Sequence, residues 1–82
     1  MDIEKKIESL VISHLKISPT QYSEELAVGD IPEWDSLAHV MLLQKIESEF
    51  NFTFDVSDAI DIETIEDLIE KIKEYLAINL NQ

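Results

Sequence analysis

The sequence predicts an all-α fold, a small bundle of three main helices and one short one. Apolar residues recur at helical spacing in successive stretches. Start signals precede them at Asp2, at Asp35-Ser36 and at Thr64-Ile65-Glu66-Asp67, and breakers separate them at Ser18-Pro19, Gly29, Pro32 and Asn51. At 82 residues the chain is expected to form one domain, residues 1–82, with a single modest core and no cleft between lobes.

The first helix has Asp2 as its N-cap and Ile3, Ile7, Leu10, Val11 and Leu15 as one stripe, and Ser18-Pro19 is expected to end it. A loop of about 17 residues follows, a length that signals either function or a missed element. Tyr22, Leu26, Val28, Ile31 and Trp34 are spaced through it, and Gly29 and Pro32 supply turns. It therefore reads as a long ordered crossover pinned to the bundle by apolar anchors. The second helix starts at Asp35-Ser36 and runs to about Phe50, with Leu42, Leu43, Ile46 and Phe50 facing the core and Asn51 as its stop. Residues 55–62, DVSDAIDI, read as a short turn of helix with Ser57 near its start. The fourth helix opens with a capping box that has Asp67 in the Glu position, and it carries Ile65, Leu68, Ile69, Ile72 and Leu76.

Charge narrows the function. Eighteen acidic residues against six lysines give a formal charge of −12, a field that repels nucleic acid and anionic lipid and favours basic protein surfaces. With 45% hydrophobic residues the chain can still fold. The amino terminus, MDIEKKIESL, lacks the apolar core of a secretion signal, and Val40-Met41-Leu42-Leu43 is far short of the ~20 residues that span a membrane. A cytoplasmic monomer without membrane insertion is expected. Cysteine is absent, so any thiol this protein uses comes from elsewhere.

The stretch EWDSLAH, residues 33–39, sets a serine at a helix start. Such a hydroxyl can cap the helix, act as a nucleophile or serve as an attachment point, and Asp35 or Ser36 could equally be the cap. His39 lies one turn after Ser36, but a hydrolase also needs an orienting group, an oxyanion hole and a substrate pocket, none of which the sequence supplies. His39 is expected to pack beside Leu43, and Trp34 to anchor the loop. Asp55 to Glu66 matches the first, third and last ligand places of an EF-hand loop, yet Ala59 and Ile60 stand where a ligand and the turn glycine belong, so no metal site is assigned. Asp55, Asp58 and Asp61 are left with weak electrostatic attraction for divalent ions.

Asp35-Ser36-Leu37 at a helix start, after a long loop and inside an acidic chain of this length, resembles the acyl carrier protein family over essentially the whole sequence. Phe50, the short third helix and Ile62, Ile65, Ile69 and Ile72 fall where that fold, a four-helix bundle, places its core. The resemblance implies that Ser36 carries 4'-phosphopantetheine, attached from coenzyme A by a phosphopantetheinyl transferase, with Asp35 as part of the motif. Acyl or aminoacyl groups would ride on that arm as thioesters, supplied by a loading ligase and passed to an acyltransferase or synthase. The chain would be a carrier and not an enzyme. A phosphodiester at a helix N-terminus suits the free N–H groups and the macrodipole, and a chain without cysteine must borrow its thiol. The rival class is an acidic interaction module with no prosthetic group.

Departures from the fatty-acid pattern point to a partner surface. Carriers of fatty acid synthesis place acidic residues after the motif and along the second helix, whereas this chain has Ala38, Met41 and Ser48 there, keeping Glu47 and Glu49. A dedicated pathway is implied: secondary metabolism, polysaccharide modification or aminoacyl transfer, as with stand-alone peptidyl or D-alanyl carriers. Turning about 100° per residue, Leu37, Met41, Gln44 and Ser48 form a stripe opposite the core face, and with Glu47 they are the expected partner-binding residues.

Overall fold

The structure, a computed structural model, describes residues 2–80, with side chains through residue 77. Residues 1, 81 and 82 of the expected domain lie outside the described residues. The elements are α1 (Ile3–Leu15), α2 (Ser36–Phe50), α3 (Val56–Asp61) and α4 (Ile65–Leu80), and no strand forms among the described residues.

The Asp2 carboxylate caps α1 by accepting from the N–H groups of Glu4 and Lys5, at 3.0 and 3.3 Å. The helix stops at Leu15, earlier than the expected break at Ser18-Pro19, because Lys16 turns left-handed with φ 59° and its N–H bonds back to the Ile12 carbonyl. That conformation normally selects Gly or Asn, so a lysine there gives no signal in the sequence. Pro19–Gln21 then form one 3-10 turn, also unforeseen, whose entry is fixed by the Ser18 N–H donating to the Gln21 side chain at 2.9 Å.

The crossover is ordered because it doubles as the cap of α4. The carbonyls of Leu26 and Glu24 accept from the N–H groups of Ile65 and Glu66, at 3.0 and 2.9 Å, and the Val28 N–H donates to the Glu63 carbonyl at 3.0 Å. Two of the orphan donors that open any helix are thereby satisfied by a segment some forty residues away in sequence. Thr64 and Asp67 add the expected reciprocal box: the Asp67 N–H bonds to Thr64 Oγ1 at 3.1 Å, and the Thr64 N–H to Asp67 Oδ2 at 3.2 Å. Gly29 sits at φ +93°, where a side chain would be strained, and its N–H donates to the Trp34 carbonyl at 2.8 Å to close the turn before α2.

Ile7 and Val11 of α1, Trp34 of the loop, Leu42 and Ile46 of α2, and Ile65, Leu68 and Ile72 of α4 are the largest fully buried side chains. Leu26 is buried, and Tyr22, Val28 and Ile31 pack partly buried against the core, as the anchor pattern requires. Burial, followed by the carboxylates of Glu8, Glu24 and Glu4, pushes the Tyr22 phenol up to about 12, so this anchor stays neutral across the working pH range. Phe50 departs from expectation. It closes α2 at the rim, only partly buried, stacked on Phe52 and with the Lys6 ammonium 4.9 Å from its ring centre.

None of the residues of α3 is fully buried. It is held by its flanks, Phe54 and Ile62, and by Tyr75 of α4. The Tyr75 hydroxyl accepts from the Asp55 N–H at 2.9 Å and donates to Asp58 Oδ2 at 2.5 Å, while Lys71 stands 3.4 Å from the same carboxylate. The Tyr75 bond and then Lys71 hold the Asp58 carboxyl below its usual range. Of the three carboxylates expected to attract divalent ions weakly, Asp58 is therefore engaged in joining α3 to α4.

Candidate functional site

The start of α2 decides what Asp35 and Ser36 do. Asp35 is the N-cap: its Oδ1 accepts from the Ala38 N–H at 2.8 Å. Ser36 is the first helical residue, exposed, and its hydroxyl makes no hydrogen bond among the described residues. The division of labour leaves the serine oxygen available for chemistry. Ser36 stands at the N-terminal, positive end of the α2 dipole, so an anion attached to its oxygen is favoured there.

Trp34 holds the approach to the helix. The indole is fully buried, and its Nε1–H donates to His39 Nδ1 at 3.2 Å, with the ring centres 5.6 Å apart. A protonated imidazole carries hydrogen on both nitrogens, so this bond requires a neutral His39 with its proton on Nε2. Burial lowers the His39 pKa and favours the same state; the Ile62 backbone carbonyl beside the ring works in the opposite direction and is outweighed. With Nδ1 accepting from Trp34 and Nε2 protonated, His39 has no basic nitrogen to offer Ser36, which removes the nucleophile-and-base reading. His39 and Leu43 both line the pocket beside Ser36. The tryptophan bond was not legible in the sequence, because five residues spanning a helix start define no standard contact.

Beside Ser36 a pocket of 380 Å³ lies between α2 and α3. Val28, Val40, Leu43, Phe54, Ala59 and Ile62 give it apolar walls, and Ser36 and His39 supply the polar atoms. A larger groove of 730 Å³ is lined by Asp55, Asp58, Lys71 and Tyr75 and shares no residue with it, so size does not mark the site.

Leu37, Met41, Gln44 and Ser48 are all exposed, as expected, with Leu37 at 69% and Met41 at 51%. Glu47, also expected there, is only partly exposed: its Oε2 accepts from the Phe54 N–H at 2.8 Å, so this carboxylate also ties the α2–α3 connection to α2. Sequence reasoning missed Val40, Val56 and Ile60, which are also exposed and apolar and flank the same pocket. The spacing of Val56 and Ile60, one turn apart on a helix too short to bury both, was the available signal. Met41 also borders a groove of 520 Å³ between α1 and α2, where His14, Lys16 and Lys45 gather in an otherwise acidic chain.

Comparison with known proteins agrees with this geometry. The family profile described as "Phosphopantetheine attachment site" matches residues 34–72, a span that contains Asp35, Ser36 and the pocket walls from α2 and α3. An acyl carrier protein of Porphyromonas gingivalis is 31% identical over 75 residues, 92% of this chain and 96% of that protein. One from Caulobacter vibrioides is 32% identical over 76 residues, covering 93% and 97%. A solved Mycobacterium tuberculosis structure, a candidate acyl carrier protein, superposes with a TM-score of 0.80 over 90% of this chain and 99% of that one; at 22% identity it speaks for the fold. The chain belongs to the acyl carrier protein family, whose members are carriers and not enzymes and hold 4'-phosphopantetheine covalently.

Proposed function

We propose that Ser36 is the attachment residue and that residues 1–82 act as one carrier domain, a cytoplasmic monomer that presents acyl or aminoacyl thioesters to partner enzymes. The observation that carries this reading is the exposed Ser36 hydroxyl, which makes no hydrogen bond among the described residues while Asp35 does the capping. When attached, the arm supplies the thiol that a chain without cysteine lacks. Around it, the helix start stabilises the phosphate, and the apolar pocket gives a cargo chain a place out of water.

The partner surface is assigned to Leu37, Met41, Gln44 and Ser48, widened to Val40, Val56 and Ile60. Exposed large apolar side chains gathered around one reactive oxygen are what a docking enzyme would cover. From Ser36 to Gln44, α2 carries no acidic residue, which supports a dedicated biosynthetic pathway over housekeeping fatty acid synthesis. The partners are a phosphopantetheinyl transferase, a loading ligase for the acyl or aminoacyl group, and a downstream acyltransferase or synthase. Incubation with coenzyme A and a broad-specificity phosphopantetheinyl transferase should add one arm to the wild-type protein. The folded Ser36→Ala variant should gain none, and an arm on that variant would overturn the assignment.

A further inference from the structure

Among the described residues, one concave surface runs against the charge of the whole chain. His14, Lys16 and Lys45 line the groove of 520 Å³ between α1 and α2, together with the apolar Leu10, Ala38 and Met41. Two of the six lysines and one of the two histidines meet there, and none of the eighteen acidic residues lines it. In the larger groove, by contrast, Lys71 is paired with Asp58 and Glu74, which line it as well. Lys16 makes no ion pair among the described residues. Lys45 pairs with Glu49 at 3.3 Å, but both side chains are solvent-exposed, and such a pair contributes little, so the ammonium stays open to a better acceptor. Met41, 51% exposed, adds apolar surface that gains from being covered.

We propose that this groove receives an acidic segment of the cognate loading enzyme, in which carboxylates flank an apolar side chain. The carboxylates meet Lys16 and Lys45, and the apolar side chain covers Met41 and Leu10. The inference rests on the carrier reading of Ser36, and at this face it reverses the basic partner that the net charge alone favours. Along the α2 axis Met41 lies about 8 Å and Lys45 about 14 Å from Ser36, so an enzyme seated in the groove has the arm within reach. The groove shares no residue with the pocket beside Ser36, so docking leaves that pocket free for cargo. A second copy of this chain is a poorer occupant, because two bodies of charge −12 repel, whereas an enzyme can carry a few carboxylates on an otherwise complementary surface. The arrangement also selects: an enzyme built for carriers acidic along this face brings basic side chains against Lys16 and Lys45 and is repelled.

The test uses the holo protein, its arm added from coenzyme A by a broad-specificity phosphopantetheinyl transferase and verified by intact mass. Its partner is the loading enzyme, purified from the organism that makes the protein by its ability to acylate that holo form. A chain that gains no arm, or that no enzyme of the organism acylates, overturns the carrier reading and this inference with it. Lys16→Glu and Lys45→Glu should each lower kcat/KM for loading roughly fivefold, and together roughly twentyfold, as exposed attractions become repulsions. Salt at about 0.5 M should close most of that gap, which a merely structural defect would not do. Lys16→Gln and Lys45→Gln, which remove a charge without adding one, should fall between, and they carry the test if circular dichroism shows a glutamate variant to be unfolded. A carbodiimide, which joins amines directly to carboxylates, should link Lys16 or Lys45 to an Asp or Glu of the enzyme. Folded variants loaded as fast as wild type, or faster, would overturn the acidic segment while leaving the carrier reading intact. A wild-type dimer in sedimentation that Lys16→Glu dissociates would give the groove to a second copy and overturn it equally.

Discussion

Glu47 separates a structural carboxylate from a partner-reading one, and replacing it makes the difference measurable. Its Oε2 accepts from the Phe54 N–H at 2.8 Å, and Phe54, 6% exposed, walls the pocket beside Ser36. Glu47→Ala deletes the acceptor and leaves a part-buried amide unpaired, whereas Glu47→Gln removes the same charge but keeps a carbonyl oxygen within reach. Comparing the two variants cancels the relief of self-repulsion that either gains in a protein of charge −12. Helix propensity works against the expected result, since alanine is the better helix former. A hydrogen bond to a charged group contributes about 1.5–3 kcal/mol; partial solvent exposure argues for the lower end, about 1.5 kcal/mol. In a domain of this size that corresponds to a Tm lowered by about 6–12 °C for Glu47→Ala, with Glu47→Gln losing less than half as much. The assay is thermal unfolding by circular dichroism in one buffer. Both variants should still accept an arm at Ser36, which lies three turns away, about 16 Å along the helix. Equal Tm values for the two variants would refute the idea that this carboxylate holds the α2–α3 connection.

Three further outcomes are expected. Raising salt from roughly 0.01 to 0.15 M shortens the screening length from about 30 Å to about 8 Å. The molecule measures 39 × 27 × 20 Å, so its carboxylates repel across the whole body at low salt, and the Tm should rise with salt or magnesium; a Tm independent of ionic strength would show the charges to be better paired than the structure indicates. Because the folded His39 has a lowered pKa, acidification below about 6.5 protonates it in the unfolded chain first. Its contribution to stability is therefore complete above that pH and is lost as pH falls toward the folded value. Urea unfolding between pH 7.5 and 5.5, read by Trp34 fluorescence, should show this slope, and His39→Gln should flatten it; identical slopes would argue against a neutral buried imidazole. Met41→Glu should fold and accept the arm, yet lower kcat/KM for the cognate loading enzyme roughly tenfold, about 1.4 kcal/mol, and improve recognition by enzymes of fatty acid synthesis. Unchanged loading kinetics would exclude Met41 from the docking surface.

The parts of the fold that were legible in the sequence are those written in local pattern. Asp2, Asp35 and the Thr64–Asp67 box announce helix starts through contacts two to three residues long, and all three form. The core faces of α1, α2 and α4 follow from 3.6-residue spacing, with Ile3, Phe50 and Leu76 only partly buried at the rim and Leu10 of the expected α1 stripe outside the core cluster. What local pattern could not carry is closure between distant segments. The loop carbonyls of Glu24 and Leu26 cap α4, Glu47 reaches Phe54, and Trp34 reaches His39 across a helix start, each a tertiary bond with no sequence periodicity. At the site, the exposed Leu37–Met41 stripe was readable from helix phase, whereas Ser36 was singled out by the resemblance of Asp35-Ser36-Leu37 to the carrier family. The pocket was not, because it exists only once α3 is laid against α2 by Tyr75, Phe54 and Ile62.

The most direct test of the central claim is peptide-mapped intact mass of the protein purified from the organism that makes it. The account predicts a single 4'-phosphopantetheine group on the peptide containing Ser36, part of it extended by a thioester-bound acyl or aminoacyl group that hydroxylamine removes. An unmodified Ser36 peptide, or the arm found on any other residue, would contradict it.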